Sequence, residues 1–167
     1  MDATLPLGAS DRESALGQAD RLELRLWLRL LTCANLIERE IRARLARDFA
    51  TTLPRFDALA QLERAPGGLT MGELSGRLMV SNGNVTGLVA RLVREGLVAR
   101  ELNPEDRRRS RVRLTLAGRR AFEAMTPAHA RWIDAAMRGL TRGEKTRLLA
   151  LLARLKLSAQ APAGKAR

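Results

Sequence analysis

The sequence is poor in the side chains that most enzymes and metal sites require. Its 167 residues contain no tyrosine, one cysteine (Cys33) and one histidine (His129). A single cysteine excludes an internal disulfide framework, and a histidine without a second ligand at metal-binding spacing gives no zinc or copper pattern. No phosphate-binding glycine loop and no nucleophile with a neighbouring base occurs either. We therefore expect no metal, no cofactor and no enzymatic activity.

Long apolar runs and aromatic residues are also scarce. No segment approaches the roughly 18 apolar residues that a membrane-spanning helix requires. Residues 1–20 lack a cationic start followed by an apolar run, so they do not resemble a secretion signal. The sequence therefore predicts a cytoplasmic protein without a membrane partner. Aromatic residues make up only 3% of the chain, so aliphatic residues must fill the core, and this favours helices.

The chain carries a large excess of basic residues. Lys and Arg number 30 against 18 Asp and Glu, which gives a formal net charge of +12. Such a charge attracts polyanions, and by itself it does not distinguish nucleic acid from an anionic membrane. A non-specific architectural protein that binds any duplex through charge is therefore one candidate function.

The two ends of the chain differ in composition from the middle. Residues 1–19 and 158–167 are mostly small and polar, with Gly and Pro, so we expect flexible tails. A predicted helix without Gly or Pro spans 20–49, and two more fall in 116–157, the first interrupted at Pro127. Apolar residues cover more of the first and last helices than one chain can bury. We expect 20–49 and 116–157 to be the dimerisation helices of a homodimer.

The middle of the chain has the pattern of a helix-turn-helix. Thr52 is expected to cap a second helix, and Thr70 and Glu73 have capping-box spacing for a third. Ser81 precedes a fourth helix that runs to about Glu95, after only a short turn. Short polar groups on the outer face of such a helix can meet base edges in the major groove, although a solvated helix face would look the same. That face carries Asn82, Asn84, Thr86 and Arg91.

A predicted hairpin follows the fourth helix directly. Residues 97–102 and 110–115 have strand character, and the connection between them contains Arg107, Arg108 and Arg109. A basic hairpin after a reading helix is a wing, whose arginines can reach the minor groove or its phosphates. The predicted fold is mainly α with a small β-hairpin wing. It is a winged helix-turn-helix domain over 52–115, with dimerisation helices at both ends.

The order of these elements resembles the MarR family of bacterial regulators over about residues 20–157. The most specific part begins at Ser81-Asn82-Gly83-Asn84-Val85-Thr86 and continues to Asp106-x-Arg108, which matches the wing motif of the family. The resemblance implies a homodimer with interlocked first, fifth and sixth helices. It also implies that the recognition helices enter successive major grooves of a pseudopalindromic operator.

The resemblance also assigns DNA contacts to residues. Arg108 would point from the wing to the minor groove, braced by Asp106, while Ser75 and Arg77 would contact phosphate. The full set of expected DNA-binding residues is Ser75, Arg77, Ser81, Asn82, Asn84, Thr86, Arg91, Asp106, Arg107, Arg108 and Arg109. The function that follows is sequence-specific regulation of transcription, with repression as the commoner mode in the family.

Two branches of the family suggest different effectors. The segment Leu53-Pro54-Arg55-Phe56-Asp57, together with residues 79–87, resembles regulators of aromatic-acid catabolism that respond to small aromatic acids or their coenzyme A thioesters. Trp27 and Asp57 resemble a urate-responsive branch, although Trp27 can equally be dimer packing and Asp57 a surface carboxylate. The candidate effector residues are Arg25, Trp27, Arg29, Arg55 and Asp57.

An oxidant is the third candidate effector, and Cys33 is the residue that could sense it. Cys33 lies in the apolar stretch of the first helix, so we expect an inert buried thiol. The peroxide sensors of the family pair their cysteine with tyrosines, which this chain lacks.

Overall fold

The computed structural model of the chain describes residues 22–79, 82–101 and 110–160, except for the side chain of Asn82. These residues fall into two units, one ending at Arg119 and the next beginning at Arg120. The described part contains six helices and three short strands, which confirms the predicted mainly helical class with a small antiparallel sheet. None of its helices is long and apolar enough to cross a membrane.

Helix α1 (Leu22–Phe49) buries only its C-terminal part within the single chain. Its buried residues are Ile41 and Leu45, whereas Trp27 in the first half is 58% exposed. Cys33 is exposed as well, so the expectation of a buried thiol was wrong. The apolar periodicity around Cys33 is real, but no other part of the described chain packs over the cysteine.

Helices α2 (Leu53–Glu63), α3 (Met71–Leu78) and α4 (Asn82–Arg94) form the helix-turn-helix layer. Thr52 occupies the predicted N-cap position of α2 with an extended backbone, although its side chain makes no capping hydrogen bond. Instead the backbone N–H groups of Arg55 and Phe56 both donate to the Thr52 carbonyl oxygen, at 3.1 Å each. Pro54 suits this first turn because its fixed φ is helical and it has no N–H to satisfy.

The predicted capping box of α3 is confirmed. The backbone N–H of Glu73 donates to Thr70 Oγ1 at 3.2 Å, and the Thr70 N–H donates to Glu73 Oε2 at 2.7 Å. These bonds also lower the pKa of the Glu73 carboxyl below its usual range. At the other end, Met79 adopts a left-handed conformation with φ of 54° and ends the helix.

Strand β1 (Leu69–Thr70), which precedes α3, and strands β2 (Val98–Glu101) and β3 (Arg111–Leu114), which follow α4, form an antiparallel sheet in the order β1-β3-β2. Strands β2 and β3 form the predicted hairpin, with Val98 paired to Leu114 and Glu101 to Arg111. The third strand, β1, was not predicted because two residues before a capping box show no alternation. The chain reaches it through Gly68, whose φ of +76° and close approach to the Val112 carbonyl oxygen leave no room for a side chain.

The end of α4, the hairpin and helix α5 (Leu116–Ala136) meet at one junction. Gly96 ends the α4 region with φ of +72°, as predicted. Thr115 caps α5 as predicted: the Gly118 N–H donates to Thr115 Oγ1 at 3.0 Å, and that hydroxyl donates to the Gly96 carbonyl oxygen at 2.6 Å. A Cβ atom at Gly118 would overlap the carbonyl oxygen of Leu97. The first turn of α5 thus packs directly on backbone.

Helices α5 and α6 (Arg142–Gln160) form the C-terminal part of the chain. Helix α5 continues through Pro127, so the expected interruption there was wrong. A long helix can lose one backbone hydrogen bond at a proline when the turns on either side keep theirs. Thr141 and Glu144 form the predicted capping box of α6, which extends three residues beyond the expected end at 157 and contains no buried residue.

Candidate nucleic-acid interface and the adjacent cavity

Helix α4 has a buried apolar face and an exposed polar one. Because the buried residues recur at helical spacing, they fix the rotation of the helix about its axis. Asn84, Thr86 and Arg91, three of the expected base-reading residues, are exposed on the remaining surface. Ser81 and the side chain of Asn82 lie outside the described residues. The buried residues are Val85, Val89 and Leu92.

The two expected phosphate contacts on α3 differ in accessibility. Arg77 is exposed in the last turn, where its charge also complements the negative end of the helix dipole. Ser75 is only 7% exposed, so its side chain offers little surface to a phosphate. Residues two positions apart point to nearly opposite sides of a helix, so only one of the two could share the exposed face.

Ion pairs and hydrogen bonds tie the base of the wing together. Arg113 and Glu101 form an ion pair across β2 and β3. Arg111 Nη1 donates to the Gly68 carbonyl oxygen at 2.8 Å, which connects the hairpin to the chain before β1. The tip of the predicted wing, including Asp106, Arg107, Arg108 and Arg109, lies outside the described residues.

A cavity of about 640 Å³ lies between α1, α2 and α4. Its walls combine aliphatic side chains such as Leu53 and Leu88 with charged groups, and a cavity of this size is typical of small-molecule sites. It brings together Arg55 and Asp57 of the expected effector residues, whereas Arg25, Trp27 and Arg29 are not part of its lining. The charged lining residues are Glu38, Arg42, Arg55, Asp57 and Arg91.

Sequence reasoning missed two aspects of this cavity. Glu38 and Arg42 on α1 belong to its lining, and they form an ion pair at 2.6 Å. Asn84 and Arg91 line it from α4, although the sequence suggested only a DNA-contacting role for them. Their spacing on α4 could have signalled the shared face, since positions 84, 88 and 91 fall on one side of a helix.

The carboxyl group of Asp57 is half-buried in the cavity wall. Burial raises the pKa of Asp57, the negative charge of Glu38 raises it further, and Arg42 opposes both. A carboxylate in this position is costly to keep charged.

Arg55 links the cavity to the C-terminal end of α4. Its Nη2 atom forms an ion pair with Glu95 Oε2, the residue directly after α4, while the side chain also lines the cavity. Its Nε atom is buried and has no hydrogen-bond acceptor among the described residues. The backbone N–H of Glu95 donates to the Arg91 carbonyl oxygen at 3.0 Å, so Glu95 still belongs to the last helical turn.

A helix-turn-helix followed by an antiparallel hairpin on a short third strand defines a winged helix-turn-helix protein. A family model described as MarR family matches residues 51–109. A solved structure of a MarR family transcriptional regulator from Silicibacter pomeroyi is 34% identical, with a TM-score of 0.72, and the match covers 87% of this chain and 100% of that one. The chain belongs to the MarR family of DNA-binding transcription regulators.

One curated relative and one further solved structure are also similar to this chain. The transcriptional activatory protein BadR of Rhodopseudomonas palustris is 35% identical over 103 residues, which are 60% of this chain and 58% of BadR. The chain thus matches little more than half the length of that protein. Sco3205, a MarR family regulator from Streptomyces coelicolor solved in complex with DNA, has a TM-score of 0.73 at 24% identity, covering 88% of this chain and 95% of that one.

Proposed function

We propose that the chain is a cytoplasmic, sequence-specific operator-binding regulator whose α4 reads the major groove. The exposed polar face of α4, backed by a buried apolar face, is the observation that carries the proposal. Asn84, Thr86 and Arg91 are side chains of the kind that contact base edges, and Arg77 is available for phosphate. The tip of the wing, with Arg107 to Arg109 and Asp106 bracing Arg108, would add minor-groove contacts.

The regulator would act as a homodimer on a pseudopalindromic site. Two recognition helices about 34 Å apart would meet one face of the duplex one helical turn apart. The leucines of α6 support this, because the helix buries none of them within one chain and apolar surface of that extent is typical of an interface. These leucines are Leu148, Leu149, Leu151, Leu152, Leu155 and Leu157.

The effector would be a small aromatic acid or its coenzyme A thioester, bound in the cavity between α1, α2 and α4. The aliphatic side chains suit an aromatic ring, and the lining has three arginines against two carboxylates, which favours an anion. Because the cavity includes α4 residues, a bound ligand would change the DNA-reading helix directly. Urate is a second candidate effector, because Asp57 resembles a residue of the urate-responsive branch and lines the cavity. Titration with urate and with aromatic acids distinguishes the two effectors.

Fluorescence anisotropy on the upstream intergenic DNA of the gene, with excess unrelated competitor DNA, tests operator recognition. Specific binding should exceed non-specific binding by roughly 1000-fold or more. Titration with aromatic acids, their coenzyme A thioesters and urate then identifies the effector class. Binding that the competitor abolishes, and that no compound changes, would favour the non-specific architectural protein that net charge alone suggests.

Two substitutions separate base reading from phosphate binding. Arg108→Ala should weaken binding to all sequences and reduce the salt slope by about 1 per wing, because a phosphate-proximal charge is lost. Asn84→Ala should relax sequence preference with a smaller change in salt slope. Wild-type affinity of Arg108→Ala for the operator would contradict the assignment of the wing.

We expect repression where the operator overlaps the polymerase site, because a bound dimer blocks access. BadR bears the name of an activatory protein. A promoter–reporter fusion measured with and without the regulator gene distinguishes the two modes: higher expression without the gene supports repression, and lower expression contradicts it.

A further inference from the structure

The side chain of Arg55 contributes to two features of the structure. It forms the wall of the cavity and also pairs with Glu95 at the C-terminal end of α4. The pair connects positions 40 residues apart in sequence, so it fixes the end of α4 against the beginning of α2. With 25% of the Arg55 side chain and 40% of the Glu95 side chain exposed, the pair is partly shielded from solvent.

The remaining hydrogen-bonding capacity of Arg55 favours an anion. A guanidinium has five N–H donors, and the buried Nε has no acceptor among the described residues. A buried donor without an acceptor costs free energy, and a shift of the Arg55 side chain that brings Nε to a carboxylate in the cavity would remove this cost. Of the two other arginines in the lining, Arg42 is already paired with Glu38 at 2.6 Å, and Arg91 extends from α4 itself.

We propose that Arg55 is a positioning residue that couples the cavity to the recognition helix, through competition between a bound anion and Glu95 for its guanidinium. Without ligand, the Arg55–Glu95 pair holds the end of α4 in its DNA-reading position. An anion that attracts Arg55 into the cavity weakens this pair and releases the end of the helix. The predicted release of operator DNA rests on the proposed function, whereas the predicted changes in anion affinity do not. Arg55 would be the residue through which the effector acts.

The competition makes an unusual prediction for two variants of the full chain. Glu95→Gln removes the competitor, so benzoate, used as a simple aromatic carboxylate, should bind about five-fold tighter than to wild type. Arg55→Gln removes the anion partner, so benzoate should bind at least about five-fold weaker and should no longer release operator DNA. Arg47→Gln is the matched control, because Arg47 pairs with Asp48 away from the cavity and should leave benzoate affinity unchanged.

Titration calorimetry with benzoate and anisotropy with operator DNA are measured on the same four proteins, with thermal unfolding as a check of folding. Opposite shifts in benzoate affinity support the proposal, since a merely structural ion pair would make both variants weaker. Equal losses, an unchanged Glu95→Gln variant, or no benzoate binding by any protein would overturn it. Failure of wild type to bind operator specifically, with the opposite benzoate shifts intact, would refute the proposed function and leave the competition for Arg55 standing.

Discussion

Helices α4 and α6 are both rich in branched aliphatic residues, yet only α4 buries them within one chain. Val85, Val89 and Leu92 of α4 are buried, whereas every residue of α6 is exposed. Periodicity predicts a helix in both places, but it does not say what covers the apolar face. The core of the helix-turn-helix is thus built from one chain, whereas no described residue of that chain buries the apolar surface of α6.

Truncating a leucine in each helix gives the largest expected difference. Leu92 is completely buried, so Leu92→Ala should lower the free energy of unfolding by about 2–5 kcal/mol, from lost apolar contact and the cavity left behind. Leu149 is 71% exposed within one chain, so Leu149→Ala should change the free energy of unfolding of the dissociated chain by less than about 0.5 kcal/mol. Urea unfolding at a concentration below that of dimer formation measures both. Equal losses would remove the distinction between the helices.

A charge on α6 tests what its apolar surface is for. Leu148, Leu152 and Leu155 lie on one face of the helix and Leu157 on the opposite face. Leu152→Glu should weaken self-association at least about ten-fold, because a carboxylate would be buried in an apolar interface. Leu157→Glu, the same change on the opposite face, should have less effect. Sedimentation equilibrium over a range of concentrations measures this, and an unchanged dimer would contradict the assignment of that face.

The same type of N-terminal capping box begins α3 and α6, so its contribution to stability can be compared between the two helices. Thr70→Ala and Thr141→Ala should each cost about 1 kcal/mol of helix stability, because each removes the acceptor for one N–H of the first turn. The loss at Thr70 should appear in the global unfolding transition, which includes the core around α3. The loss at Thr141 should appear as reduced helicity by circular dichroism when the protein is diluted. The reverse pattern would mean that α6 is the better supported helix.

The smallest predicted effect is a pH dependence at Asp57. Its pKa is raised in the folded chain, so the folded state binds a proton more readily than the unfolded state. The free energy of unfolding therefore falls as the pH rises from below the ordinary pKa of the carboxyl to above its raised pKa. Asp57→Asn should therefore be more stable than wild type at neutral pH and should flatten this part of the profile. Melting temperatures between about pH 3.5 and 6 measure the difference. A steeper profile in the variant would show that Asp57 is stabilised as a carboxylate.

Local signals were the ones that could be predicted from sequence. The capping boxes at Thr70 and Thr141 and the left-handed Gly96 involve residues within a few positions of each other, so residue type and spacing suffice. The pair between Arg55 and Glu95 depends on how α2 meets α4, and nothing in either segment indicates the other. The same is true of β1, which exists only because β3 lies beside it.

Exposure was the property that sequence predicted least well. Cys33 has an apolar neighbourhood in sequence but is exposed, and Ser75 has a polar side chain but is buried. Both outcomes follow from which parts of the chain pack over a given helix face. Periodicity describes one helix at a time and contains no information about its neighbours.

The absence of a side chain at Gly118 has a mechanical consequence. The first turn of α5 rests on the Leu97 carbonyl, and Thr115 bonds to both Gly96 and Gly118, so the segment after α4, the start of β2 and the first turn of α5 meet through backbone atoms. Any residue larger than glycine at position 118 would have to displace the backbone of Leu97, and with it the beginning of β2.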